Sequence, residues 1–507
     1  MKVSKLTLAI ATTLAASASF NALAMDLYVD TKTKQLYAEP GRGRVLMGAF
    51  ERVEDKPVAA PADTAEIADV RQDLEMKTNE IKALQEHMTE AEQVKVKMDK
   101  KGLQVESADK NFKFKLGGRI HADSSFHSGD DYLDKTTPTP LHVEANDGTE
   151  IRRARMRFEG VFFKDWLFRT EADFADDNTR VKDAFIQYTG LDFVNITVGQ
   201  QKQNFSRELQ ESSNDMMFTE RSLMNILNAP TVDRAIGLNF ESVGKNWVAK
   251  AGIFGDSITP ARTGTAPEVK NAGDEGWGIS SRLIYNPIIE KTKLIHLGIA
   301  GNYRTPDDTG DIAKASQLRY VYETTNMSNL DLVDARVFDV DNIKMLGLEA
   351  AGLYGPFSVG AEYTRTWIDR KKKGTTIESG DHNLELDGWY AEAAWSLTGE
   401  SRGYKEGNFR YLEPAKPFSL KNGGWGAWEL AARYSSADLN DGSFQGGELS
   451  NVTVALNWYI NSNFRILANY TRLLDIENSP LTTSTRAALT GNNADLNTYM
   501  LRAQVAY

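Results

Sequence analysis

NFKFKLGGRIHAD, residues 111–123, alternates without a break. Phe112, Phe114, Leu116, Gly118, Ile120 and Ala122 fall on one side, and Lys113, Lys115, Gly117, Arg119, His121 and Asp123 on the other. Successive side chains of a β-strand point to opposite faces, so a period of two reads as a strand with one apolar and one charged face. The pattern returns to the end of the chain. Trp166, Phe168, Thr170, Ala172 and Phe174 alternate with Leu167, Arg169, Glu171 and Asp173. Trp389, Ala391, Ala393 and Trp395 alternate with Tyr390, Glu392 and Ala394, Trp428, Leu430, Ala432 and Tyr434 with Glu429, Ala431 and Arg433, and Val452, Val454 and Leu456 with Thr453 and Ala455. Such segments, about 10 residues long and tipped with aromatics, are the mark of a transmembrane β-barrel, apolar toward lipid and polar toward the lumen. A secreted sandwich or propeller also alternates, but its second face is core or plain solvent and does not carry charges at strand centres. The final TYMLRAQVAY alternates up to Tyr507, as expected of a last strand that closes on the first and leaves no free edge. At roughly 20 to 28 residues per strand and connection, the chain from Asn111 holds about 14 to 18 strands, and bacterial barrels are even-numbered. The expected fold is all-β, a 16-stranded antiparallel transmembrane barrel over residues 102–507.

Upstream the period changes. Across 64–100, Ile67, Leu74, Ile81 and Met88 occupy one heptad position and Val70, Leu84, Ala91 and Met98 another, with Lys77 and Lys95 interrupting. A narrow seam with charged flanks reads as a coiled coil rather than a lone amphipathic helix lying on the domain. The expected coiled-coil helix spans 63–101, reaches roughly 50 Å, and projects from the periplasmic mouth of the barrel. There it can lock an oligomer on its axis or reach toward peptidoglycan. Residues 25–62 are polar, with a short strand pair around Leu27–Tyr37 and Val45–Phe50 and a linker at 57–61. Residues 1–24 carry Lys2 and Lys5, an apolar stretch and the Ala22-Leu23-Ala24 cleavage pattern of a secretory signal peptide. The chain has no cysteine, which excludes disulfides, thiolate metal sites and a lipid anchor on cysteine.

EIRRARMRF, residues 150–158, puts Arg153, Arg155 and Arg157 on one face and Ala154, Met156 and Phe158 on the other. Arginine facing mid-bilayer lipid costs about 2–4 kcal/mol, so the arginines face the lumen. Lys113, Lys115, Arg119 and Arg169 share that orientation. A narrow wall of cations concentrates anions, and arginine suits phosphate or carboxylate because its planar fork donates in pairs. The competing role is a bracing ladder with Glu159, Glu171, Asp173 and Asp183. A formal net charge of -11 does not refute an anion path, because only the field at the aperture sets selectivity. Acids can lie on outer loops such as 128–134, 306–311 and 331–341.

Residues 202–233 are too long for a hairpin turn and lack alternation, while Met216, Met217, Phe218, Leu223, Met224 and Leu227 argue against disorder. They are expected to form a constriction loop inside the lumen. His87, His121, His127, His142, His296 and His382 show no metal-ligand spacing and no nucleophile motif, and His121 and His296 fit lumen-facing positions. No enzyme, cofactor, metal site or nucleic-acid partner is expected.

KLGGRIHAD (115–123), EIRRAR (150–155), KDWLF (164–168), VGQQKQNFSREL (198–209), SSND…ERS (212–222), GWYAEAAWSLTGESRGYK (388–405), GAWELAARYS (426–435) and LNWYINSNFRILANYTR (456–472) resemble, in order, the phosphate- and polyphosphate-selective porins, the porin O/P family. The resemblance implies a homotrimer in a Gram-negative outer membrane, in contact with lipid and lipopolysaccharide and passing small anions. It further implies an arginine pair at the constriction, Arg152 and Arg153, an acidic partner Asp183, loop serines Ser212 and Ser213, and a loop arginine, Arg221. Where the family carries a loop lysine this chain has Leu209, with Arg207 two residues away as its substitute. The expected function is an anion-favouring, phosphate-like diffusion porin. The alternatives are a weakly selective general porin or a channel for another anionic solute, such as an organic acid or oligosaccharide.

Overall fold

The computed structural model describes residues 25–33, 35–50, 64–92, 94–99, 102–129, 131–133, 141–142, 145–175, 179–258, 275–306, 318–370, 383–482 and 488–507. The signal-peptide segment 1–24 and the linker at 57–61 lie outside them. Two compact units divide the chain, residues 1–87 and 88–507.

In the first unit, Met25–Asp30 pairs with Leu36–Tyr37 and with Arg44–Phe50 in a three-stranded sheet, one strand more than the expected pair. Helix α1 is Thr64–Glu92. Its seam residues Val70, Leu74, Ile81 and Leu84 are all exposed. The expected extension of the helix to 101 is corrected: Lys95–Asp99 is a strand that pairs with Gly102–Glu106 in a hairpin. Beyond Glu92 the apolar residues Val94, Val96 and Met98 alternate with Lys95, Lys97 and Asp99. That local period of two, with two β-branched residues, overrides the heptad. Among the described residues no helix is long and apolar enough to cross a membrane.

The second unit is a closed antiparallel barrel of sixteen strands. The wall begins with β1 (Phe112–Ser128), β2 (Gly148–Phe162), β3 (Trp166–Asp173) and β4 (Arg180–Tyr188). It continues through β5 (Asn195–Lys202), β6 (Arg234–Val243), β7 (Trp247–Phe254) and β8 (Trp277–Ile289). Next come β9 (Lys293–Thr305), β10 (Val340–Tyr354), β11 (Phe357–Arg370) and β12 (Leu384–Ser396). The last four are β13 (Ala427–Asp441), β14 (Phe444–Tyr459), β15 (Phe464–Glu477) and β16 (Asn497–Ala506). Each strand pairs with its neighbours in sequence, and β16 closes on β1 from Asn497↔Ser128 to Ala506↔Arg119. The seam ends on Tyr507, whose backbone exchanges hydrogen bonds of 3.0 and 2.8 Å with Gly118. A Cβ at Gly118 would stand 2.6 Å from the Arg155 carbonyl oxygen and 2.9 Å from the Tyr507 hydroxyl, so only glycine lets the terminal ring lie there.

The alternation sorts as expected. Ile120, Met156, Leu430 and Leu456 are exposed on the lipid side, and Arg119, His121, Asp123, Glu429 and Arg433 are buried on the inner side. The lumen is nevertheless filled on one side. Residues 203–233, with helix α2 (Arg207–Gln210) and helix α3 (Asn225–Val232), fold inward. A hairpin of Leu318–Tyr322 and Val333–Val337 packs with them. Leu223, Leu227, Val232, Tyr320, Leu332 and Val333 join wall residues Ile343, Met345, Ile368, Leu384 and Leu386 in one apolar core. Part of the segment expected as an acidic outer loop, 331–341, is thus structural, with Asp331 and Asp334 paired to Arg319 and Asp334 also to Arg336. The open conduit is left to the side of β1–β7.

Candidate functional site

The arginine stripe of β2 does face the lumen, and a departure from regular pairing enlarges it. His121 pairs with Arg153, but Ala122 pairs with Ile151, leaving Arg152 as an extra residue. Such a β-bulge re-aims a side chain. Strict alternation would send Arg152 to lipid with Ala154; instead it lines the lumen beside Arg153. A second bulge lies in β4. Glu171 pairs with Asp183 and Ala172 with Val181, leaving Lys182 extra, and Lys182 and Asp183 both line the lumen.

Carboxylates neutralise only part of this wall. Glu171 holds Arg119 at 2.9 Å and Arg155 at 3.3 Å, and Asp173 holds Arg155 at 2.7 Å. Glu159 holds Arg169 at 2.9 Å, Lys115 at 3.1 Å and Arg157 at 3.8 Å. Three carboxylates therefore serve five cations. Arg153 is buried with no carboxylate partner among the described residues, and its Nη1 has no hydrogen-bond partner there. Arg152 reaches the constriction loop, with Nε 3.1 Å from Glu220 Oε1. Burial alone would raise the Glu220 carboxyl, but Arg152, Arg153 and Arg502 outweigh it and hold it well below the usual carboxylate range.

The opposite wall grips the loop. Arg465 Nη1 donates to the Met216 carbonyl at 2.8 Å, Asn457 Nδ2 to that of Met217 at 2.9 Å, and Arg502 Nη1 to that of Thr219 at 2.7 Å. Arg502 is itself forked onto Asp123 at 2.7 and 2.6 Å. At the loop entrance Glu362 of β11 accepts from Ser206 Oγ at 2.7 Å and from the backbone N–H groups of Arg207 at 2.8 Å and Glu208 at 2.7 Å. Gly360 makes room, since a Cβ there would stand 2.8 Å from Arg207 Nη2. The connection between β12 and β13 approaches from the short-turn end. Its Arg402 Nη1 donates to the Asp215 carbonyl at 3.2 Å, and the Tyr411 N–H to Asp215 Oδ1 at 3.0 Å.

What remains open is a cavity of about 700 Å³. Fourteen Lys and Arg side chains border it against seven Asp and Glu among the described residues. Of the residues expected at this site, Arg119, Arg152, Arg153, Arg155, Arg157, Arg169, Asp183, Ser212, Ser213 and Arg221 meet here. Arg119 Nη1 donates to Ser213 Oγ at 2.9 Å and Ser212 Oγ at 3.4 Å. Asp183 accepts from Arg234 Nε at 2.8 Å. Lys113 and Lys115 lie toward the short-turn end of β1, near the turn after Phe162, and do not border the cavity.

Arg207 is corrected. It does not stand in for a loop cation, because its guanidinium points at the wall, 2.6 Å from Glu392, 3.3 Å from Glu211 and 3.7 Å from Glu362. Four residues beyond Arg207 on the same turn of loop, Glu211 is its partner. Burial pushes the Glu211 carboxyl up to about 7, against the pull of Arg207. Cations not anticipated are Arg180, Lys182, Lys202, Arg234, Lys250, Lys405 and Arg410. Lys182 could not have been found by alternation, since a bulge hides it. Lys202 and Arg234 stand at the two ends of the loop, where a strand period no longer assigns a face.

A sixteen-stranded barrel whose lumen is narrowed by an inward loop facing an arginine wall is an outer-membrane porin. Residues 114–506 match the model of the phosphate-selective porin O and P family, and the chain belongs to that family. It is therefore a channel and not an enzyme. Porin O of Pseudomonas aeruginosa is 28% identical over 401 residues, 74% of this chain and 85% of that one. An uncharacterized protein of Caulobacter vibrioides is 31% identical over 336 residues, 65% of this chain and 63% of that protein, so less than two thirds of that relative is spanned. Among solved structures, the anion-selective porin from Comamonas acidovorans aligns at 11% identity with a TM-score of 0.47, over 78% of this chain and 100% of that one.

Proposed function

We propose that the protein is an anion-favouring diffusion porin whose selectivity is set where the β1–β5 wall faces the constriction loop. The observation that carries this is the charge imbalance of the cavity, fourteen cations against seven carboxylates among the described residues, with Arg153 on its border and no carboxylate within ion-pair distance of it among those residues. In a low-dielectric pore such an excess concentrates anions and repels cations. Arg152, Arg153, Ser212, Ser213 and Arg221 supply forked and hydroxyl donors for a phosphate-like solute. Liposome swelling tests it: among solutes of matched size, anions should enter faster than neutral sugars, and organic cations slowest. Equal rates would instead favour a weakly selective general porin.

A channel for an organic anion is the alternative, supported by Leu209, which borders the cavity among the cations and would suit a carboxylate with a carbon body.

The assembly we infer is a homotrimer. Strands β3–β7 have 8 to 10 residues, whereas β8–β15 have 13 to 16. An eight-residue strand, tilted as in a barrel, rises roughly 20 Å, short of the ~25 Å apolar band. A neighbouring copy would shield that low wall from lipid. The rest of the surface meets lipid and lipopolysaccharide. The exposed seam of α1 supports a periplasmic coiled coil that locks the trimer or reaches peptidoglycan.

A further inference from the structure

We propose that Lys202, the last residue of β5, is a specificity-determining residue of this channel. Its ammonium clamps the constriction loop and places a positive charge at the aperture. The proposal rests on the anion-favouring function above. Lys202 Nζ donates to three consecutive loop carbonyls, Leu209 at 2.6 Å, Gln210 at 3.2 Å and Glu211 at 3.0 Å. Three acceptors converging on one amine nitrogen call for three N–H bonds, which the charged ammonium has and the neutral amine lacks.

Its surroundings separate it from the braced cations of the wall. Lys202 pairs across the strands with Arg234. The Arg234 guanidinium is neutralised by Asp183 at 2.8 Å and Asp233 at 3.4 Å. Lys202 has no carboxylate within ion-pair distance among the described residues; carbonyl dipoles satisfy its hydrogen bonds, and Asp233 and Asp183, both held by Arg234, act on its charge only from farther off. Arg221 grips the same turn from the returning limb of the loop, donating to the carbonyls of Glu208 at 3.2 Å and Glu211 at 3.3 Å. Two cations therefore take up the carbonyls at the end of α2, groups that a helix cannot satisfy internally. Lys202, Leu209, Gln210 and Arg221 all border the cavity. The contact that fixes how far the turn stands from the wall is thus also a source of the field that an entering solute meets.

Charge and clamp can be separated by substitution. Lys202→Arg keeps the charge and several donors, Lys202→Met keeps length without either, and Lys202→Gln keeps a donor without charge. The full-length protein and each variant would be placed in planar bilayers. Reversal potentials in a KCl gradient and block of the chloride current by inorganic phosphate would be recorded, with heat-dependent gel mobility reporting folding. The expected result is a chloride-to-potassium permeability ratio lowered about threefold or more in Lys202→Met and Lys202→Gln, with weaker phosphate block. Lys202→Arg should stay close to the parent protein. If Lys202→Met does not fold, Lys202→Gln carries the test. Variants indistinguishable from an anion-selective parent overturn this proposal alone, as does a Lys202→Arg that fails like Lys202→Met. A parent channel without anion preference overturns the anion-favouring function and this proposal together.

Discussion

At the scale of single residues, Arg153 and Glu211 make the sharpest claims. Arg153 has no carboxylate partner among the described residues and faces a cavity already rich in cations. Arg153→Gln should lower the chloride-to-potassium permeability ratio about fivefold, the factor that follows from ~1 kcal/mol of lost Coulomb energy, the interaction of two unit charges roughly 16 Å apart at an effective dielectric near 20. Reversal potentials measure it. Glu211 makes a claim on pH. Its carboxyl is raised from 4.5 to about 7 by burial, so the folded protein holds this proton more tightly than the unfolded chain. Its contribution to stability is fully present below pH 4.5 and is lost as the pH rises through about 7. Glu211→Gln removes that dependence, so the variant should gain on the parent across the same window, read from unfolding midpoints against pH. Alternation made the inward face of Arg153, Arg155 and Arg157 legible, because lipid forbids the opposite orientation. It could not show Arg152 or Lys182 by itself, because a bulge adds one residue and breaks the period. The resemblance to a family supplied Arg152 but misled at Arg207, whose sequence position says nothing of the two wall carboxylates, Glu362 and Glu392, behind it.

At the scale of elements, the constriction loop and the barrel seam carry the predictions. Glu362 collects a hydroxyl and two backbone N–H groups from the loop entrance. Glu362→Ala strips a buried charged acceptor from these donors, a loss of about 1.5–3 kcal/mol per charged hydrogen bond. The loop should loosen, seen as larger and noisier single-channel conductance from barrels that still resist heat. Gly118→Val places side-chain carbon against the Tyr507 ring and the Arg155 carbonyl. It should lower the fraction of folded, heat-modifiable barrels on gels. The loop was legible from its length, its apolar residues and its lack of alternation. The hairpin at 318–337 was not, because its charged residues mimic a solvated loop while its apolar ones, Tyr320, Leu332 and Val333, find partners only in three dimensions. The end of α1 was misplaced because Val94, Val96 and Met98 satisfy a strand period as well as Met98 satisfies a heptad.

At the scale of the whole molecule, strand count and closure followed from repeated alternation and a chain end that continues it, whereas the uneven wall did not. Strand height depends on where loops fold inward, and that is a property of the closed barrel rather than of any segment. If α1 locks a trimer, deleting residues 64–92 should lower the temperature at which trimers dissociate on gels while leaving monomeric barrels folded; an unchanged temperature would exclude the lock. Anion selectivity requires that the cation-rich side of the lumen carry the current. The measurement that decides this is the reversal potential of the parent protein in a planar bilayer across a KCl gradient. A chloride-side potential is predicted. A potential near zero, or on the potassium side, would mean that the carboxylates neutralise the wall, and would contradict the account.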